Sequence, residues 1–438
     1  MMPTVALAAA VGAGLGSLLA CIPGLHVYNA LALFVVMLTR GSISAPAEIV
    51  VPFACGLIVA FSMLNTLPSI LAAAPDESAF FTVLPGQKYL AQGRGYEACL
   101  ITALGGMGAL LVLTLLIGPL VPRWLPAVRA VFRPHGHWVL WSVVAFMLLS
   151  EWPKPMGMRQ PGWRALAAAW RSPGFGVLTF LLSGWLGFIV IYRSPVPAEM
   201  AFQNLMPAFA GLFTLPWLVV NIVSRVTVPR QRTDPVVPSW SSILQGTGAG
   251  LLGGSFAVFF PVVTAGVGGL LAGHATSLRD DRAFLASQGA AKTVYIVGAM
   301  MLLFAPGARM VRGGGAWMVQ GLVETGGYRE YGMALAALAI GGAVALLLFS
   351  PLTRLFIGLL HRVGCRVLSW GALIAVVVLV GGLTGGGGLI LMMTGLGIGL
   401  IPLLFGARRM NGLGVVMLPL ACIMSGHGPR VAGWLGLL

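Results

Sequence analysis

The chain has 438 residues, of which 58% are hydrophobic and 8% are charged, and its mean hydropathy is +0.94. This composition excludes a soluble globular protein, because so few polar side chains cannot cover a water-exposed surface. The formal net charge of +15 comes from basic residues spread over many connections, which is typical of membrane-protein loops and not of a nucleic-acid-binding patch. We therefore predict an integral membrane protein that has the lipid bilayer as its surroundings and no nucleic-acid partner.

Apolar runs close to the roughly 20 residues needed to span a bilayer recur along the whole chain, whereas the short alternating strands of a membrane barrel do not. They predict an all-α polytopic membrane protein with about ten to twelve transmembrane helices. In chain order the predicted segments are Val5–Ile22 with a second piece to Leu38, Ile49–Ala72, Ala98–Leu120, Trp138–Ser150, Phe175–Tyr192, Phe202–Ser224, Ile243–Phe260 with a second piece to Ala275, Thr293–Phe304, Gly332–Ser350, Val367–Leu383, Leu389–Phe405 and Gly412–Met424.

The first segment is interrupted by Pro23-Gly24, and two polar residues, His26 and Asn29, follow the interruption. A related segment occurs 238 positions later, where Gly250 precedes Pro261 by eleven residues just as Gly12 precedes Pro23. Two interrupted apolar segments in matching halves of a chain are a sequence indication of a transporter binding site. We therefore predict two repeat halves, residues 1–224 and 243–438, joined by a polar linker at residues 225–242.

The polar groups in and near the interrupted segments suit an anion. All eleven acidic residues fall in connections or at the ends of spans, which argues against a carboxylate-based proton antiporter or a cation channel. Backbone N–H groups freed after the two prolines, together with hydroxyls and amides, can bind an anion instead. The candidate substrate-binding residues are Ser17, Pro23, Gly24, His26, Asn29, Asn65, Thr66, Ser255, Pro261, Thr264 and Lys292.

Two of these candidates have an ordinary alternative. Lys292 is the only lysine close to an apolar run and could meet an anion, or it could extend its ammonium group from a helix end towards water. His26 could contact substrate or carry a coupling proton, or it could simply bond to the backbone at the interruption. We predict no metal site and no cofactor, with sodium or a proton as the coupling ion. No histidine, cysteine or carboxylate lies at ligand spacing near His135 and His137.

Four landmarks together resemble a known family. They are Ile22-Pro23-Gly24-Leu25-His26, the Asn65-Thr66-x-Pro68 motif, the connection from Leu84-Pro85-Gly86 to Glu97-Ala98, and the late run from Gly399 to Arg409. Their order and spacing resemble the large membrane subunit of tripartite tricarboxylate transporters, in its divergent archaeal-type branch. The resemblance implies two inverted repeats, each with a broken helix and a re-entrant segment near the midplane of the membrane. It also implies a small membrane subunit and an extracytoplasmic binding protein as partners.

The chain departs from the family pattern at both interruptions. Ordinary members read Pro-Gly-Leu-Gly at the first signature, where this chain has His26 in the last position. The second signature is also rich in Pro-Gly, but here Pro261 is followed by Val262-Val263-Thr264. These departures bear on the substrate more than on the fold.

The function predicted from these features is a secondary transporter that moves a small organic anion of the carboxylate class across the cytoplasmic membrane by alternating access. A translocase of a lipid-linked anion such as polyprenyl phosphate is an alternative, because phosphate also suits helix N-termini. A structural or assembly protein that keeps a transporter scaffold is a second alternative. The protein could form a homodimer in each of these cases. An enzyme is not expected, since the chain has no His-Glu-x-x-His motif, no Gly-x-Ser-x-Gly elbow and no pair of intramembrane carboxylates.

Overall fold

The computed structural model describes residues 2–25, 31, 34–35, 38, 45–74, 80–153, 162–197, 204–224, 227–260, 262–278, 280–307 and 310–438. Every regular element in these ranges is helical, which confirms the predicted all-α class. The physical reason is that a helix satisfies its backbone N–H and C=O groups internally, as a segment in hydrocarbon must. Three candidate site residues, His26, Asn29 and Pro261, lie outside the described residues.

The described α-helices follow one another with short 3₁₀ and π segments between some of them. They are α1 Met2–Ala20, α2 Ala47–Leu64, α3 Thr66–Leu71, α4 Val83–Ala91, α5 Gly95–Leu111, α6 Val121–Phe132, α7 Gly136–Leu149, α8 Trp163–Tyr192, α9 Leu205–Phe209, α10 Leu215–Ser224, α11 Trp240–Phe259, α12 Ala265–Ala275, α13 Asp281–Phe304, α14 Gly313–Val319, α15 Tyr328–Phe405, α16 Gly414–Met424 and α17 Gly428–Trp434. The π segments are Val112–Ile117 and Ala210–Thr214. The 3₁₀ segments are Phe80–Thr82, Gly118–Leu120 and Arg409–Leu413.

Within the described ranges, six helical segments are long and apolar enough to cross a membrane, and a bent pair near the C-terminus makes a seventh when counted as one span. The protein is therefore a multi-pass membrane protein. The six segments are Met2–Ala20, Ala47–Leu71, Gly95–Phe132, Trp163–Tyr192, Leu205–Ser224 and Tyr328–Phe405, and the bent pair is Arg409–Met424 with Gly428–Trp434.

Part of the difference between these six or seven segments and the predicted ten to twelve crossings lies in α15. This helix has 78 residues and would be about 117 Å long if it were straight, several times the thickness of a bilayer. Left-handed φ angles interrupt it at Gly364 and Gly385. Three predicted spans, beginning at Gly332, Val367 and Leu389, fall within this one helical run.

The chain folds into two compact units. The first unit contains Met1–Arg133 and Asn221–Ala372, and the second contains Pro134–Val220 and Leu373–Leu438. Each unit takes residues from both of the predicted halves. The compact units therefore follow a different division of the chain from the predicted repeats, and the repeat relationship stays a prediction.

Close helix packing in the first unit depends on glycine. A Cβ atom built on Gly12 or Gly16 of α1 would overlap the backbone of α2 at Phe53 or Leu57. At the corresponding positions of α11, 238 residues later, a Cβ on Gly250 would lie 2.4 to 2.5 Å from atoms of α13. In lipid, the hydrophobic effect does not drive helices together, so their association depends on close packing, which small residues allow. The glycine pattern noticed in the sequence is therefore a repeated packing device.

In the second unit, α8 and α16 form the central contact. A Cβ on Gly187 of α8 would overlap the Val415 carbonyl of α16, and one on Gly414 would overlap the Phe180 carbonyl. The indole N–H of Trp141, on α7, donates a 2.9 Å hydrogen bond to the Ser425 hydroxyl at the end of α16. These contacts hold three helices of the unit against one another.

Candidate functional site

The polar centre of the first unit is the junction between α2 and α3. Asn65 is the residue between the two helices, and Pro68 lies in the first turn of α3. A proline nitrogen has no proton, and its ring clashes with the carbonyl four residues earlier, so one uninterrupted helix through this point is disfavoured. The Asn65-Thr66-x-Pro68 motif therefore favours the junction seen between α2 and α3.

The Asn65 side chain connects this break with two other parts of the first unit. Its amide Nδ2 donates to the Leu25 carbonyl at 3.4 Å, directly after the interruption at Pro23-Gly24. Its Oδ1 accepts a 2.7 Å hydrogen bond from Nζ of Lys292 on α13. Asn65 and Lys292 are each 1% exposed. The structure thus brings together three candidate regions that the sequence places far apart.

The burial of Lys292 argues against the alternative in which its ammonium group extends towards water. A lysine that extends towards water would expose its ammonium group, whereas Lys292 is among the largest fully buried side chains of the protein. Ionisable groups inside membrane proteins are rare and are usually found along substrate or ion pathways. The pair is therefore the strongest candidate for contact with an anion.

Further polar groups on α13 and α5 lie near the break. Gln288 is one helical turn before Lys292 and is 3% exposed, and neither its amide oxygen nor its nitrogen has a hydrogen-bond partner among the described residues. The Thr66 and Thr102 hydroxyls lie 3.4 Å apart, and each donates to a carbonyl three residues earlier. Gln288 was not among the predicted site residues, although its spacing of four residues from Lys292 places both on one face of α13.

The interruption at Pro23-Gly24 is a turn after α1. Gly24 has a φ of 76°, a left-handed conformation that glycine adopts without a Cβ clash. Ser17, one turn before the end of α1, is 0% exposed, and its hydroxyl has no partner among the described residues. The start of the predicted half-helix after Pro23, at residues 26–30, lies outside the described part of the chain.

The second interruption leads into a helix start. The half-helix α12 begins after Thr264, whose hydroxyl accepts a hydrogen bond of 3.5 Å from the Val267 N–H, and Val262 just before it has a left-handed φ of 57°. A threonine at this position is a typical N-cap. Ser255 is half-buried and forms no hydrogen bond with Asn65 or Lys292 in the described structure. In the described structure, neither Thr264 nor Ser255 is hydrogen-bonded to the Asn65–Lys292 pair.

One buried amide was missed by the sequence analysis. Asn221, near the end of α10, is 5% exposed, and its Nδ2 donates a 2.8 Å hydrogen bond to the Ala72 carbonyl at the end of α3. The signal available in the sequence was an asparagine inside a predicted apolar span. Its role is to satisfy a carbonyl that α3 leaves free at its C-terminus.

A second polar cluster, in the other unit, was also missed. Glu151 was placed in a connection, yet it is 7% exposed and its carboxylate accepts three hydrogen bonds. The donors are the Arg408 backbone N–H at 2.7 Å, the Ser172 hydroxyl at 2.9 Å and the Asn411 amide at 2.7 Å. The cluster joins α7, α8 and the segment before α16, so it organises the polar interior of the second unit.

The two arginines of the late run differ in their surroundings. The Arg408 side chain donates to the Ser150 hydroxyl at 3.0 Å from an exposed position, as an interfacial anchor would. Arg409 instead donates to the Phe213 carbonyl at 2.6 Å and lies over the Trp217 ring, 4.6 Å from its centroid. The π segment Ala210–Thr214, which contains Phe213, supplies this acceptor.

No group of three or more His, Cys, Asp or Glu side chains in the described part of the chain could hold a metal ion. The five cysteines are free, and Cys21 alone is not fully buried. At the Asn65–Lys292 pair, the described residues can therefore bind a ligand through hydrogen bonds and the buried amino group of Lys292. The second unit has a separate cluster centred on the Glu151 carboxylate.

Comparison with known proteins gives one family and one distant relative. An uncharacterized protein of Methanocaldococcus jannaschii is 24% identical over 275 residues, which are 63% of this chain and 62% of the relative. The alignment therefore spans less than two thirds of that relative. No solved structure matches. The family profile of the tripartite tricarboxylate transporter TctA family matches residues 6–414, which is nearly the whole sequence. This chain belongs to the tripartite tricarboxylate transporter TctA family.

Proposed function

We propose that this protein is the large membrane component of an uptake system and moves a small organic anion of the carboxylate class across the cytoplasmic membrane by alternating access. The family membership supports a role in transport. The observation that carries the substrate class is the buried ammonium group of Lys292, held by Asn65 beside the first interruption.

The chemistry of the pair favours an anion with hydrogen-bond acceptors. An ammonium group in a low-dielectric interior attracts a carboxylate far more strongly than it would in water. The unpartnered amide of Gln288, one turn away on α13, can then donate to the same substrate. A hydroxyl such as that of Ser17, also unpartnered, can add a neutral hydrogen bond from α1. We place the substrate among these groups.

The same arrangement supports a proposal for partners and coupling. Family membership favours a small membrane subunit and an extracytoplasmic binding protein that delivers the anion. A co-transported sodium ion or a proton would offset the negative charge of the substrate. Sodium would be held by backbone carbonyls at the interruptions, such as that of Leu25, whereas His26 offers a route for a proton.

The decisive experiment compares two lysines. Lys292→Gln removes the buried charge but keeps an N–H donor for Asn65, whereas Lys88→Gln removes the same charge from an exposed ion pair with Asp281. We expect Lys292→Gln to lower uptake of a tricarboxylate such as citrate at least about tenfold, and Lys88→Gln to leave uptake close to that of the wild type. Equal uptake by the two variants, with both proteins folded, would refute the site.

Ligand classes are separated by thermal stability of the purified protein. A rise in the melting temperature with citrate or succinate, lost in Lys292→Gln, supports a carboxylate substrate. A rise with polyprenyl phosphate alone would support a lipid-linked anion instead. If neither class stabilises the protein and Asn65→Ala leaves uptake intact, the assignment of the site is wrong. If the wild-type protein takes up none of these anions and neither class stabilises it, a structural role becomes the better account.

A further inference from the structure

A cleft in the first unit lies away from the Asn65–Lys292 pair. It has a volume of about 600 Å³ and runs between the start of the inter-half linker and α15 just before its first interruption. Arg230 of the linker and His361 of the helix supply its polar wall, while Val228 and Leu360 supply apolar surface. The cleft thus has one basic wall and one apolar wall.

The linker wall of the cleft is held in place by hydrogen bonds. Next to Arg230, the buried side chain of Gln231 donates to the Leu90 carbonyl at 2.9 Å and accepts from the Gly95 N–H at 2.8 Å, which fastens the linker to the α4–α5 turn. On the other side, Gly364 of α15 lines the cleft and has a left-handed φ of 78°. The linker side of the opening therefore has a defined position.

The surroundings indicate that the cleft lies at the boundary between hydrocarbon and water. The linker residues Arg230, Arg232 and Asp234 are exposed, and charged side chains of this kind are costly in hydrocarbon. On α15, Val363 and Val367 lie beside the lining residues in sequence and are 39% and 58% exposed although both are apolar. Charged surface on the linker next to exposed apolar surface on the helix is typical of the headgroup region of a membrane.

We propose that this cleft binds the phosphate-bearing headgroup of an anionic phospholipid. The phosphate lies against Arg230 and His361, and the glycerol and upper acyl carbons lie against Val228 and Leu360. Arginine is well suited to phosphate because its guanidinium group offers several donors in one plane. A further basic residue, Arg366, exposed beside the lining residue Cys365, strengthens the attraction for a negative headgroup over a neutral one.

The apolar wall distinguishes a lipid from free phosphate. An inorganic phosphate ion would gain only the polar contacts, since the side chains of Val228 and Leu360 cannot form hydrogen bonds or ion pairs with it. A phospholipid also buries acyl carbons against these side chains and gains hydrophobic free energy from them. The lipid is therefore expected to bind more tightly than glycerol 3-phosphate or inorganic phosphate.

The test is lipid binding by the purified full-length protein, measured by native mass spectrometry with phosphatidylglycerol and phosphatidylcholine of identical acyl chains. Arg230→Gln and His361→Ala remove the polar wall. Arg232→Gln and Arg362→Gln are matched controls, because each removes an exposed positive charge from the same linker or the same helix without lining the cleft. Melting temperatures establish that each variant is folded.

We expect phosphatidylglycerol to bind in preference to phosphatidylcholine and Arg230→Gln to weaken its binding about fivefold, with a smaller effect from each control. Equal binding of the two lipids, or an equal loss in Arg230→Gln and Arg232→Gln, would overturn the proposal. Inorganic phosphate or glycerol 3-phosphate binding as tightly as the lipid would overturn the assignment to a lipid. If Arg230→Gln does not fold, phosphatidylglycerol binding is compared between His361→Ala and Arg362→Gln, and an equal loss in these two variants would overturn the proposal.

Discussion

The ammonium group of Lys292 donates a 2.7 Å hydrogen bond to the side-chain oxygen of Asn65, 227 positions earlier in the chain. Asn65 also donates to the carbonyl of Leu25. A helix break from the first part of the sequence is thereby tied to a long helix of the second part at a point where both side chains are buried. This relationship underlies the proposed substrate site, and it also has consequences for stability.

Asn65→Ala is expected to lower the free energy of unfolding by about 2 kcal/mol, because a buried ammonium group loses its amide acceptor. Adding Lys292→Met removes that charge, so the double variant should be more stable than Asn65→Ala alone, since the two residues interact directly. Denaturant unfolding in detergent micelles gives the free energy of unfolding of the wild type, the two single variants and the double variant. A double variant whose loss equals the sum of the two single losses would show that the pair is not coupled.

Glycine packing between α11 and α13 gives a second prediction with a control on the same helix. A Cβ on Gly250 would lie 2.4 Å from Ala290, whereas one on Gly248 meets nothing within 4 Å. Gly250→Ala should therefore destabilise the protein by about 2 kcal/mol through overpacking. Gly248→Ala should be neutral or stabilising by up to about 1 kcal/mol, because alanine has the higher helix propensity. Similar melting temperatures for the two variants would contradict the close approach.

The side chain of Gln231 fastens the linker to the first unit and gives a third prediction. It is 6% exposed and bonds to the backbone of Leu90, Gly95 and Pro229. Gln231→Ala should cost about 2 kcal/mol and should speed proteolytic cleavage of the linker. Arg232→Ala, at the next position but exposed, is the control. Equal cleavage rates in the two variants would rule out this anchoring role.

Asp280 caps the N-terminus of α13 and gives a pH-dependent prediction. Partial burial by itself would raise the pKa of the Asp280 carboxyl. Hydrogen bonds from the Ser242 hydroxyl and from two backbone N–H groups of α13 outweigh burial, so the pKa lies below its ordinary value of 3.8. A lowered carboxyl pKa stabilises the fold at pH values above 3.8, and this contribution is lost as the pH falls through the folded-state pKa.

The variant Asp280→Ala should therefore be less stable than the wild type by about 1 kcal/mol at pH 7. The difference should shrink when the pH falls below 3.8 and the wild-type carboxyl becomes protonated. Melting temperatures of both proteins between pH 7 and pH 3 measure this. A difference that stays constant over that interval would mean that the charged form of Asp280 does not stabilise α13.

The carboxylate of Glu151 gives a prediction for the second unit. Glu151→Ala removes the acceptor of three hydrogen bonds and should cost about 3 kcal/mol. Glu151→Gln should cost much less, because Asn411 can turn its amide and accept from the new Nε2 through its Oδ1, which has no partner at present. Thermal unfolding of the two variants measures the difference. An equally large loss in Glu151→Gln would show that the negative charge itself is required.

Much of the fold could be predicted from the sequence. The apolar runs indicated a helical membrane protein, and the breaks at Pro23-Gly24 and Asn65-Thr66-x-Pro68 follow from local backbone chemistry. The family landmarks also pointed to the family that the profile later matched. The number of crossings stays a prediction, because α15 is one helical run of 78 residues that contains three of the predicted spans.

The candidate site was predicted in part. Asn65, Lys292 and the first interruption were selected as candidates, and the structure joins them by hydrogen bonds. The burial of Glu151 and the tie from Asn221 to Ala72 were not foreseen. Both residues follow or interrupt apolar segments, which showed that they lie near the membrane but not which neighbours they contact.

The sequence by itself determined the class of structure, because a bilayer requires helices that satisfy their own backbone and because proline and glycine interrupt those helices at defined positions. Only the tertiary structure decided which polar side chains meet. In a soluble protein, the apolar stripe of a helix indicates its inward face, but lipid is as apolar as a protein interior, so both faces of a membrane helix look alike in the sequence. The contact between Asn65 and Lys292 became evident only when their helices were packed together.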